Sequence, residues 1–168
     1  LDLARYYDVC HHMVFVIANY HDIGMSVDRK THHLIGAQML LDDQRLYHWF
    51  SQEQMRVMAE AIKDHRASSN HPPESIYGKI IAQADRDLDV DTILKRIVFF
   101  GKAQQPNLTQ QDFFNKAYDH LLKKYGKNGY MKLWLLTPKL SKKVKKMQRE
   151  IEDQNLIYQK FLSLINEN

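Results

Sequence analysis

Cysteine is nearly absent: Cys10 is the only one in 168 residues. That excludes a disulfide framework and any zinc site built on several thiolates. It fits a reducing, intracellular setting, so a cytoplasmic location is expected. Glycine and proline are scarce as well, at six and four residues, together about half the usual share. Long apolar runs are missing. The longest, Met13 to Ala18, has six residues, far short of the roughly 20 that a membrane span requires. No membrane partner is expected, and the opening residues do not read as a secretory signal. The chain starts at Leu1, already inside a helical pattern (Leu3, Ala4, Tyr7). A further segment upstream is therefore expected.

What is present is ordinary for a globular protein: 44% hydrophobic and 26% charged residues, which rules out disorder. The length suits one domain able to bury roughly 70% of its unfolded surface. Charge is unevenly spread. Residues 1–100 carry a net −3 and residues 101–168 a net +7. Much of that excess lies between Thr137 and Arg149, where Lys139, Lys142, Lys143, Lys145, Lys146 and Arg149 occur with no acid. Such a run could attract phosphate or nucleic acid. It lacks aromatic interleaving and sets Leu140, Val144 and Met147 on one face, so a solvated helix face is the better reading.

Three-to-four spacing of apolar residues predicts an all-α chain. A first helix is expected over about Met13 to Asp22, closed by Gly24, with the polar stretch Asp8 to His12 read as a loop. A second covers Thr31 to Asp42. A third opens at Ser51, where Ser51-Gln52-Glu53-Gln54 matches a capping box. Arg66 to Pro73 reads as a loop. Helices over Ile76 to Leu88, Asp91 to Phe100 (ending at Gly101) and Thr109 to Tyr125 follow. Tyr130 to Leu136 is too short to assign. A long final helix, Leu140 to Ile165, carries an alternating 4,3 seam of the coiled-coil kind, which admits a homodimer. Residues 1–100 are expected to form the core and 101–168 a helical extension packed on the same domain.

The informative residues are polar ones on apolar stripes. His21 continues the line of Val14 and Ile17, with Asp22 beside it. His32 precedes Ile35, Gly36 and Met39; His65 extends Met55, Met58 and Ile62; Asp85 lies between Ile81 and Leu88. Burying an unpaired imidazole or carboxylate costs several kcal/mol, at roughly 2–7 even for a neutral polar group. These groups must therefore satisfy one another or bind something. Three imidazoles and two carboxylates form a donor set for a divalent metal. Without thiolate, Mn, Fe, Co or Mg is favoured over structural zinc.

The ordered set resembles the HD-domain superfamily of metal-dependent phosphohydrolases. Its signature, an apolar run ending in His-Asp-Ile-Gly, matches Val14-Phe15-Val16-Ile17-Ala18-Asn19-Tyr20-His21-Asp22-Ile23-Gly24. The histidine four residues before a glycine matches His32 to Gly36. The helix-end histidine matches Ile62-Lys63-Asp64-His65, and the final aspartate Ile81-Ala82-Gln83-Ala84-Asp85. The resemblance covers about residues 1–100 and implies a single helical HD-domain bundle with a long C-terminal helix. Two features depart from it. A further histidine ligand, usual some 30 residues before the pair, would precede Leu1, with His11 and His12 as stand-ins. Met25 stands where many members have lysine. The Gly-Tyr-Pro tripeptide of the cyclic-di-GMP branch is absent, which disfavours that substrate.

The resemblance implies that His21, Asp22 and Asp85 ligate one ion and that His32 and His65 complete a second, with Asp22 spanning both. It implies hydrolysis of a phosphoester or pyrophosphate bond in a phosphorylated small molecule, a nucleotide above all. Arg66 and Lys30 are the candidate catalytic cations for phosphate oxygens; Arg86 is a weaker one. His33 and His71 are candidates for supporting or acid roles. Two other classes remain as alternatives: a catalytically degenerate HD module that senses nucleotide, and a basic nucleic-acid-binding helical protein.

Overall fold

The structure, a computed structural model, describes residues 2–69, 71–104, 106–135 and 137–166. Eight α-helices and no strand occur among the described residues, as an all-α chain requires. The length suggests one domain, but the chain gathers into two compact units. One comprises Leu1–Arg86 with Leu133–Leu135, the other Asp87–Lys132 with Leu136–Asn168. The division falls at Asp87; the boundary expected near residue 100 lies inside a helix.

The first unit holds α1 (His11–Tyr20), α2 (His32–Asp42), α3 (Gln52–Lys63) and α4 (Ile76–Ala84). Helix α3 packs against the other three. Its stripe of Met55, Met58, Ala59, Ala61 and Ile62 is buried, and each large side chain among them contributes roughly 1.5–3 kcal/mol by leaving water. The capping box forms as expected: Ser51 Oγ accepts from the Gln54 amide (3.2 Å) and Gln54 Oε1 from the Ser51 amide (2.9 Å).

Two helices of this unit differ in their bounds from the sequence reading. Helix α1 begins at His11, so His11 and His12 lie on its exposed first turn and not in a loop. It ends at Tyr20, and Gly24 belongs to a following 3-10 turn, Ile23–Ser26. Gly24 is there for proximity: a Cβ would lie 2.3 Å from the His32 carbonyl oxygen. Helix α4 stops at Ala84, short of the expected Leu88, with Asp85 as its C-cap.

The second unit holds α5 (Val90–Gln104), α6 (Gln110–Tyr125), α7 (Pro138–Glu152) and α8 (Gln154–Asn166). Its core includes Leu94, Phe114, Leu121, Ile151 and Phe161, with Phe114 and Phe161 edge to face at 5.3 Å. Helix α5 runs through Gly101, the expected stop. A Cβ there would lie 2.4 Å from the Phe113 ring, so this glycine makes room for an aromatic side chain. The long final helix is also corrected. It breaks at Asp153, whose Oδ1 accepts from the Leu156 amide (3.0 Å) and starts α8. The seam residues Met147, Ile151 and Phe161 are buried in this unit's own core, which leaves no continuous seam for a second copy. All six bases of Thr137 to Arg149 are exposed, as a solvated face requires.

Candidate metal centre

Helix ends of the first unit carry the five predicted side chains. His21 and Asp22 follow α1, His32 opens α2, His65 follows α3 and Asp85 follows α4. Two glycines let the backbones meet. A Cβ on Gly36 would sit 2.6 Å from the Tyr20 carbonyl oxygen, as one on Gly24 would crowd that of His32. Helix α2 and the turn after α1 are thus in main-chain contact, which draws His32 up to Asp22.

All three imidazoles are oriented in one way. Nδ1 of His21 donates to the Ala18 carbonyl (2.8 Å), that of His32 to Arg29 (2.8 Å), and that of His65 to Ile62 (2.6 Å). A carbonyl oxygen only accepts, so Nδ1 bears the proton and Nε2 of each neutral ring presents a lone pair.

These Nε2 atoms converge on Asp22. Its Oδ1 lies 3.4 Å from His32 Nε2 and 3.7 Å from His65 Nε2, while Oδ2 lies 3.5 Å from His21 Nε2. Asp85 Oδ1 is 3.7 Å from the same His21 nitrogen. Two groups result, Asp22–His32–His65 and His21–Asp22–Asp85, and each could hold a metal ion.

The chemistry of this donor set fits a cation. His32 Nε2 and His65 Nε2 are 3.2 Å apart, and with each Nδ1 turned to its carbonyl both Nε2 atoms face the same point. Burial pushes the His65 imidazole below its ordinary pKa, which disfavours relief by protonation. His21 is pushed the other way, chiefly by the Asp85 carboxylate that faces its ring. Partial burial of Asp85 opposes ionisation, but the facing His21 imidazole outweighs it and holds the carboxyl below its usual range. Lone pairs and carboxylates crowded at this distance are stabilised by positive charge at their centre.

A model of the HD domain matches residues 2–88, just over half of the chain. The chain belongs to the HD-domain superfamily of metal-dependent phosphohydrolases. No curated protein and no solved structure matches it. The matched span of this HD domain ends just beyond Asp85 and includes all five converging residues.

The other sequence candidates are less central. Arg66, half-buried, donates from Nη1 to the Lys30 carbonyl (2.6 Å), and Lys30 itself is exposed. His33 Nδ1 is buried without a hydrogen-bond partner; burial and the Arg66 charge keep this ring below its ordinary pKa. His71 is exposed, with Nδ1 4.0 Å from Asp64 Oδ1. The arrangement leaves His11 and His12 out of both groups. Arg86 bonds the His65 carbonyl through Nη1 (3.3 Å).

Sequence reasoning missed two supports. Asp64, 8% exposed, accepts the Glu74 amide on Oδ2 (3.1 Å) and pins the loop after His65. Gln83 is also buried; its signal was a polar side chain among the apolar Ile80, Ile81, Ala82 and Ala84.

Proposed function

We propose that this HD domain is a two-metal phosphohydrolase acting on a nucleotide. The observation that carries this reading is the division of Asp22, whose Oδ1 faces His32 and His65 while Oδ2 faces His21. A carboxylate shared in this way would serve both groups if each were loaded with a cation. His21, Asp22 and Asp85 are assigned to one and Asp22, His32 and His65 to the other. The absence of thiolate favours Mn, Fe, Co or Mg. When bound there, such ions would supply an acidified water and positive charge for the phosphoryl oxygens.

The protein's own contribution is orientation. Carbonyls 18, 29 and 62 keep each Nε2 aimed inward, which is the usual role of a partner behind a metal-bound histidine. Asp22 fixes the spacing of the two groups. Arg66 and Lys30, on the His32–His65 side, are assigned to the phosphate oxygens that the metals leave uncovered. Among the described residues no helix is long and apolar enough to cross a membrane. With a single cysteine, a cytoplasmic enzyme acting on a soluble phosphorylated substrate is the reading we adopt.

The test is metal stoichiometry by plasma mass spectrometry beside His21→Ala and His65→Ala, followed by phosphate and pyrophosphate release from a nucleotide panel with Mn2+. About two equivalents, reduced in both variants, with release from at least one nucleotide, is the expected result. Absence of metal after Mn2+ or Fe2+ loading rejects the enzyme reading in favour of a nucleotide sensor.

A further inference from the structure

The Gln83 amide makes a closed set of hydrogen bonds with chain far away in sequence. Nε2 donates to the Leu135 carbonyl (2.5 Å), and Oε1 accepts from the amides of Leu135 (2.7 Å) and Trp134 (3.0 Å). Main-chain partners of fixed polarity dictate which way this amide points. Gln83 is 5% exposed and Leu135 9%. Leu135 and Trp134 pack into the core of the first unit, although the residues on either side of 133–135 belong to the second. This stretch lies outside the matched span, residues 2–88.

Asp85 follows two residues after Gln83, on a helix end fastened from both sides. Its amide donates to the Ile81 carbonyl (3.0 Å) and that of Arg86 to the Gln83 carbonyl (3.2 Å). Arg86 then reaches across to the His65 carbonyl. Asp85 is itself half-exposed and belongs only to the His21–Asp22–Asp85 group. With little packing on its own side chain, its place depends on the helix end that carries it.

We propose that Gln83 is a positioning residue for Asp85, and that residues 133–135 are a strap by which the segment between α6 and α7 sets the geometry of the His21–Asp22–Asp85 group. The inference rests on the two-metal reading. It makes residues 133–135, outside the matched span, participants in the centre, and it singles out one of the two metal positions. Losing the strap loosens the Asp85 position and leaves the Asp22–His32–His65 position intact, because Asp22 and His32 stand on other helix ends and His65 is oriented by its own bond to the Ile62 carbonyl.

The test is calorimetric Mn2+ titration of the metal-stripped full chain, with Gln83→Met and Gln83→Glu. Methionine fills the volume and removes all three bonds; glutamate retains acceptors for the two amides and loses the donor to Leu135. Gln83→Met is expected to weaken one of two binding events by about 10- to 100-fold, the range for residues that support metal ligands, and to leave the other within about twofold. Gln83→Glu falls between. In the metal-free protein, amide hydrogen exchange at Asp85 and Arg86 accelerates in Gln83→Met while α3 is unchanged.

A folded Gln83→Met whose two binding events both persist, or both weaken alike, overturns the proposal whatever happens to its melting temperature. If methionine prevents folding, unaltered binding in Gln83→Glu overturns it equally. A wild-type chain that binds no Mn2+ defeats the two-metal reading and this inference with it; two wild-type events with an indifferent Gln83 defeat the inference alone.

Discussion

The Tyr20 hydroxyl donates to Asp43 Oδ2 across 2.5 Å. The last residue of α1, immediately before His21 and Asp22, is thereby tied to the residue closing α2, the helix that opens with His32. Arg45 holds the same carboxylate through Nε (2.8 Å) and Nη2 (2.6 Å). One acid thus fastens the far end of α2 to the end of α1, while Gly24 and Gly36 bring their main chains together nearer His32.

That carboxylate makes stability acid-sensitive. The Arg45 and Tyr20 hydrogen bonds hold the Asp43 carboxyl well below its usual range. A depressed folded-state pKa contributes stability that is complete above the unfolded value, about 3.9, and is lost as pH falls further. Denaturant midpoints at pH 7, 4 and 3 should fall more steeply in wild type than in Asp43→Asn. Parallel curves would show that the bonds to Asp43 contribute nothing.

Alanine in place of glycine inside a helix ordinarily stabilises by about 0.5–1 kcal/mol. At Gly36 the sign should reverse, because the added Cβ meets the Tyr20 carbonyl oxygen at 2.6 Å. Overpacking of this kind costs about 1–3 kcal/mol. Gly36→Ala should therefore melt below wild type, and a higher melting temperature would disprove the close approach.

Metal should stabilise the fold, since the centre joins helix ends that unfolding separates. A ligand at 100 times its Kd adds about 2.7 kcal/mol. Stripping with a chelator should lower Tm, Mn2+ should restore it, and His65→Ala should blunt the restoration. A Tm indifferent to metal in wild type would contradict this coupling.

In the second unit, Asp153→Ala removes the oxygen that caps the first turn of α8. The expected loss is about 1 kcal/mol, read from denaturant unfolding. An unchanged midpoint would mean that the break between α7 and α8 does not depend on this side chain.

How far the sequence was legible depends on the range over which each signal acts. Ser51 and Thr109 sit beside the amides they cap, so both helix starts could be read directly. The convergence of His21, Asp22, His32, His65 and Asp85 was visible because polar residues on apolar stripes have few places to go. Gly24 and Gly101 misled because glycine is read as a terminator, whereas here each makes room for something brought near by folding: the His32 carbonyl and the Phe113 ring. Asp153 could not be recognised as a break in a pattern whose apolar spacing continues across it. The strap at 133–135 had no local signature at all, since Gln83 finds its partners some 50 residues further along the chain.

The three carbonyls behind the imidazoles bring a consequence for genetics. Ala18, Arg29 and Ile62 act on the centre through main-chain oxygen, which every residue possesses. A saturation scan would score position 18 by helix propensity, position 29 by surface tolerance and position 62 by core volume. None of these scores would register that the peptide group there selects the tautomer of a histidine. Backbone chemistry at these positions is hidden from side-chain mutagenesis, and only an amide-to-ester replacement that weakens the carbonyl acceptor would bring it to light.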